Sequence, residues 1–289
     1  GSNDRQVNAI VRVRRDPSGK LVVSGVVDID DPAHDYAVGV GRILPFGSLD
    51  GTFSGDGKFS FVPPDGVDPL FPVAIALAGD GSAFVAGKTE NTPLGGGRFV
   101  CKIGPTGAFD TAFGNLGCLS EDQCALGNVG ESRCHYSALV VSGSVLFLAG
   151  SFLDFPVGAP SSSDWEFLVE KRSTTNGELV AGFDSDGIVT VPFDLDGESA
   201  DKAFDLALGH DGTIFVAGSA EDDITLGSTV LAVVALTPAG AVETGFADAG
   251  RFALISGEAR AIAVDGSGRL VFAGGSLGQE VVVRFLPSG

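Results

Sequence analysis

Carboxylates are the most numerous reactive groups in this chain. Asp and Glu number 37 against 18 Lys and Arg, for a formal charge of −19 at pH 7. Three groupings have a spacing that could do chemistry. Asp194, Asp196 and Glu198 alternate along one short segment, which lets a single loop wrap an ion, so they form a candidate calcium site. Gly197 falls in the wrong place for a full twelve-residue calcium loop. Asp28-Ile-Asp-Asp31 with Asp35 is a second cluster that could hold calcium, and it too falls short of a full calcium loop. The third grouping is Asp201, Asp205 and Glu258. Asp205 interrupts an apolar run, Ala203-Phe-Asp-Leu-Ala-Leu208. A carboxylate there must be paired or hydrated, and Arg260 and Arg12 are its expected ion-pair partners. Two carboxylates flanking a sugar linkage are what glycoside hydrolysis needs. Trp165, Tyr36 and Tyr136 could stack on sugar rings, with Asp164 and Asp222 nearby in sequence to similar loops. A Trp at the start of a strand is also read as a packing residue.

No other catalytic constellation emerges. His34, His135 and His210 fall in separate loops or turns, and no Ser-His-Asp order, phosphate loop or Cys-His pair is present. Four cysteines, Cys101, Cys118, Cys124 and Cys134, lie within one segment. An even, clustered set in an acidic chain points to two disulfides and an oxidising compartment. Strand register favours Cys101–Cys118 with Cys124–Cys134; Cys118–Cys124 with Cys101–Cys134 stays open.

The elements that must position these residues are legible from a repeat. A hydrophobic run ending in a small residue and Gly recurs five times, closing at Gly25, Gly87, Gly150, Gly218 and Gly274, about sixty residues apart. Forty-three Gly and 14 Pro without a collagen period suit short strands and tight turns. The fourth repeat reads as four strands. The run 203–208 leads through Gly209-His-Asp-Gly212 to a second strand, then 230–236 and 251–255 follow. Phe53, Phe113, Phe183 and Phe246 each precede a Gly by four residues, as buried anchors of the corner between third and fourth strands. Four antiparallel strands repeated at this period predict an all-β fold, a five-bladed β-propeller of four-stranded antiparallel blades over about 8–62, 71–120, 135–193, 201–256 and 258–289. The last blade is expected to hold three strands, or to be completed by a very short N-terminal strand, and the chain is expected to continue beyond one end.

Gly47-Ser-Leu-Asp-Gly-Thr-Phe53, Gly107-Ala-Phe-Asp-Thr-Ala-Phe113 and the Asp-Gly turns before Val-Ala-Gly strands resemble the delta-60 repeat of bacterial surface and secreted proteins. The resemblance spans essentially the whole chain; the third repeat departs most, since Leu179-Val-Ala-Gly-Phe183 lacks the Asp. It implies a propeller-like array at the cell surface and no particular reaction.

Segments 26–35, 63–69, 88–97, 151–164, 194–201 and 219–228 differ in every repeat and would share one face. Variable loops on a rigid scaffold usually carry binding. The preferred reading is therefore a non-catalytic extracellular binding or adhesion module, not an enzyme. Its site would be Asp28, Asp31, Asp35, Asp164, Trp165, Asp194, Asp196, Glu198 and Asp222, and its partner a protein or carbohydrate. Calcium is the one cofactor considered. The alternative is a propeller-type glycoside hydrolase using the third carboxylate group. The charge argues against nucleic acid and anionic lipid, and no apolar segment is long enough to insert in a bilayer. The expected location is secreted, periplasmic or on a bacterial surface.

Overall fold

The computed structural model describes residues 9–31, 34–63, 70–89, 97–121, 133–154, 164–193, 195, 200–222 and 228–285. They form nineteen strands and no helix among the described residues. Consecutive strands pair antiparallel into five sheets. The first holds β1 (Ala9–Arg15), β2 (Leu21–Asp31), β3 (His34–Ile43) and β4 (Lys58–Phe61). The second holds β5 (Leu70–Leu77), β6 (Ala83–Thr89), β7 (Gly97–Ile103) and β8 (Cys118–Glu121). The third holds β9 (Arg133–Ser142), β10 (Val145–Asp154), β11 (Asp164–Ser173) and β12 (Ile188–Val191). The fourth holds β13 (Lys202–Leu208), β14 (Ile214–Asp222), β15 (Ser228–Leu236) and β16 (Arg251–Ser256). The fifth holds only β17 (Glu258–Val264), β18 (Leu270–Ser276) and β19 (Gln279–Arg284).

The repeated Gly has a steric cause. In four sheets it pairs with the first strand just before a β-bulge, as in Ile10↔Gly25 and Ala203↔Gly218. A Cβ on Gly218 would lie 1.9 Å from the Lys202 carbonyl oxygen, and one on Gly25 would lie 2.0 Å from that of Ala9. Only glycine lets the two backbones come this close. The bulge itself turns the following side chain out of the strand's alternation.

The Phe corners form as expected. Phe53, Phe113, Phe183 and Phe246 are buried, and their carbonyls accept the amides of Gly57, Gly117, Gly187 and Gly250. Phe113 and Phe246 stand edge-on to Phe84 and Phe215 of the second strands, at 5.4 and 5.5 Å between ring centres. The corner aspartates are turn formers: Asp56 and Asp186 accept the amides of Lys58 and Ile188. The motif Asp of the first two repeats is different. Asp50 is buried and accepts from Lys20 and Arg42 at 2.8 Å each, while Asp110 meets Lys102 at 2.7 Å. The third repeat has Val180 at that place, and Lys171 turns instead to the Pro238 carbonyl.

Two compact units divide the chain. The first takes residues 1–124, 141–146 and 173–178; the second takes 125–140, 147–172 and 179–289. Val38, Val40, Phe53, Ile75, Val85 and Phe99 are central to the core of the first. The second has a core around Phe215, Leu231, Val233, Phe246, Ile262 and Phe272. The first unit also holds the Cys101–Cys118 disulfide, between directly opposed residues of β7 and β8. Cys134 is disulfide-bonded too, and Cys124, its expected partner, lies outside the described residues.

One expectation about the loops needs correction. Much of what reads as variable loop is strand. β2 and β3 run on to pair Asp28 with Tyr36 and Asp31 with His34. β14 and β15 likewise extend to pair Asp222 with Ser228. Val26, Val27 and Ile29 alternate with Asp28 and Asp30, and the β-branched residues carry the ladder outward past the point where acidic residues first appear.

Candidate active site

Asp205 sits on β13 immediately after the bulge that begins at Ala203. Its carboxylate is half-buried, and each oxygen accepts a backbone N–H. Oδ1 takes the Leu206 amide at 3.0 Å and Oδ2 takes the Ile262 amide, on β17, at 2.9 Å. Asp205 is thus bound to amides of its own and the adjoining strand, and Arg260, one of its expected ion-pair partners, meets Glu258. Arg12, the other expected partner, donates to the Val11 carbonyl. A bulge leaves outward-facing amides without ladder partners, and a carboxylate is the side chain that can take two of them.

β17 carries the matching irregularity. Its register shifts between Ala259 and Ala261, so Arg260 is the extra residue, as Phe204 is on β13. The Arg260 guanidinium lies 5.9 Å from the centre of the Phe204 ring. Its side chain is 71% exposed and that of Glu258 30%, so their ion pair is open to solvent and weakly held. Two adjoining first strands therefore present two carboxylates, one cation and one ring: Asp205, Glu258, Arg260 and Phe204. Arg260 and Phe204 as a stacked pair were not legible in sequence. Only the bulges, whose sole signal is the paired glycine, bring them together.

The third carboxylate does not join this group. Asp201 is fully buried; its Oδ2 accepts the Phe193 amide at 2.7 Å and its own amide donates to the Trp165 carbonyl at 2.9 Å. It braces the entry to β13. The residues expected on the variable face belong to several strands. Asp28 is exposed on β2, Asp164 and Trp165 open β11, and Asp222 closes β14. Trp165 is half-buried and stands edge-on to His135 at 5.5 Å. Tyr136 is buried, its hydroxyl donating to Glu170 at 2.7 Å beside the Arg172–Glu170 pair. It is a core residue and not a sugar platform. Tyr36 is half-buried, opposite Asp28. Asp31 lies on β2 and Asp35 on β3. Asp194, Asp196 and Glu198, the candidate calcium set, lie outside the described residues. Among the described residues no three His, Cys, Asp or Glu gather as a metal site.

No family model matches the chain, and no curated protein matches it. Solved structures do. An α-L-arabinanase of Penicillium chrysogenum, solved with arabinobiose, is 12% identical with a TM-score of 0.53, over 96% of this chain and 77% of that one. A glucose dehydrogenase is 14% identical with a TM-score of 0.50, over 96% of this chain and 81% of that one. Both are enzymes. That finding corrects two expectations, that the chain is a non-catalytic adhesion module and that it is not an enzyme. At these identities the likeness bears on architecture, and together with the five antiparallel sheets it shows that this chain has the all-β, β-propeller fold.

Proposed function

We propose that the chain is a propeller-type glycoside hydrolase whose reacting groups are Asp205 and Glu258. The observation that carries this reading is their placement on adjoining bulged strands, with Arg260 paired to Glu258 and lying over the Phe204 ring. Asp205, held by two amides, is the fixed anion that faces positive charge developing at the anomeric carbon. Glu258 is the mobile proton carrier. Substrate entering the exposed pair displaces Arg260 toward a sugar hydroxyl, Glu258 takes a proton from solvent, and it then protonates the departing glycosidic oxygen. Water then adds to the anomeric carbon, and its proton returns to Glu258. Phe204 supplies a face on which a ring can rest. The match to an arabinanase scaffold supports a sugar substrate. The Cys101–Cys118 disulfide supports an oxidising compartment, which we take to be the periplasm, the cell surface or the medium. The Asp50 and Asp110 pairs support the delta-60 reading of the repeat, as residues spent on the scaffold.

The test is hydrolysis of aryl glycosides and arabino-oligosaccharides. We expect turnover that falls about 10²–10⁴-fold in Glu258→Gln with an unchanged melting temperature. Asp205→Asn should lose activity as well, with some stability. No turnover on any of these substrates, or turnover indifferent to Glu258→Gln, would overturn the assignment.

A further inference from the structure

Four of the five sheets end in a fourth strand; the fifth ends at β19. Among the described residues nothing pairs with the outer edge of β19. Its hydrogen-bonding pattern can be worked out. β18 and β19 join through Leu277 and Gly278, both at positive φ, and pair from Ser276↔Gln279 to Val271↔Arg284. The Phe285 amide donates to the Leu270 carbonyl at 2.8 Å, so Phe285 points its backbone groups inward to β18. Directions alternate along an antiparallel ladder. Val281 and Val283 therefore also bond inward, and Glu280, Val282 and Arg284 turn their N–H and C=O groups to the open edge. The side chains of those three lie on the exposed face, Val282 at 73% exposure, while Val281 and Val283 pack on the core.

We infer that β19 pairs antiparallel with β19 of a second copy of this chain, about a two-fold axis through Val282. Two copies can form ladder bonds only in registers that set outward-bonding residues opposite one another. Three such registers engage the centre of the strand. One sets Glu280 against Val282 and another sets Arg284 against Val282, leaving the charges facing an apolar side chain. The register centred on Val282 sets Glu280 of each copy opposite Arg284 of the other. It also stacks the two Val282 side chains and gives every outward amide a partner. Opposite charges directly across a ladder stabilise it, and like charges destabilise it. The sequence Glu-Val-Val-Val-Arg is thus complementary to itself when reversed. The result is a six-stranded sheet continuous across two molecules, which closes an edge otherwise prone to indiscriminate pairing. It does not depend on the catalytic reading.

Sedimentation velocity across micromolar concentrations tests this, with charge swaps as the control on register. The wild-type chain should show a concentration-dependent dimer. Glu280→Arg alone and Arg284→Glu alone should each be monomeric, since each sets like charges across the seam twice. An equimolar mixture of the two single variants should dimerise again, and so should the double variant E280R/R284E. Both positions are exposed, so each single variant should melt with the wild-type chain at high dilution. A wild-type chain that stays monomeric would overturn the inference and point to an edge covered by some other strand. A dimer untouched by either single swap, or a mixture that fails to reassociate, would overturn it as well.

Discussion

Asp50 shows how a single residue of the repeat is committed. Hydrogen bonds from Lys20 and Thr52, with the Arg42 guanidinium alongside, hold its carboxyl well below the usual carboxylate range. The Arg42 guanidinium also lies over the Phe53 ring at 4.8 Å and donates to the Pro105 carbonyl of the next sheet, so Asp50 orients a cation that joins two sheets of the first unit. Asp50→Asn keeps the shape and removes the charge. It should lower the melting temperature at pH 7 by several degrees and lower it by less at pH 2, because the wild-type carboxyl has lost part of its advantage there. Calorimetry at the two pH values checks this. Gly218 is committed by sterics alone. Gly218→Ala drives a methyl into the Lys202 carbonyl and must open the bulge that places Asp205. We expect a loss of about 3 kcal/mol in urea unfolding, with reduced hydrolysis in whatever protein stays folded.

At the scale of elements, the bulge and the disulfide were legible to different degrees. Two strands joined by a corner of known length set a register, and that register places Cys101 beside Cys118. The structure opposes them directly, because β7 and β8 pair without a bulge. Removing this bridge in Cys101→Ala/Cys118→Ala frees a loop of 17 residues in the unfolded chain. The expected cost is about 3 kcal/mol, read as a lower urea midpoint under non-reducing conditions. The bulges could not be read, because an extra residue in a strand leaves the apolar pattern nearly intact. Only the repeated glycine hinted that two backbones approach there. The strand ends of the acidic hairpins were misplaced for the opposite reason. Asp and Ser suggest loops, but Val26, Val27 and Ile29 hold the ladder beyond them.

For the whole molecule the charge balance governs how stability responds to pH. Asp50, Asp110, Asp211 and Asp265 all lie below the ordinary carboxylate range. The first cause is a hydrogen bond from Lys20 for Asp50, from Lys102 for Asp110, from the Thr213 amide for Asp211 and from the Arg269 amide for Asp265. A carboxyl with a lowered folded pKa binds its proton more readily in the unfolded chain. Its contribution is present above the unfolded value, near pH 4, and is lost as the pH falls through the folded one. Thermal melts between pH 7 and 2 should therefore show stability declining below about pH 4, with a shallower decline in Asp50→Asn. A flat profile down to pH 2 would contradict this assignment of charges. Residue order alone determined the repeat, the strands, the Phe corners, the all-β class and one disulfide, because each depends on contacts between neighbours in sequence or on a fixed hairpin register. Which carboxylates meet was decided by tertiary structure. Asp201 and Asp205 are four residues apart, yet one is buried against the Phe193 amide and the other faces β17. A bulge and the neighbouring sheet part them, and neither is visible along a single strand.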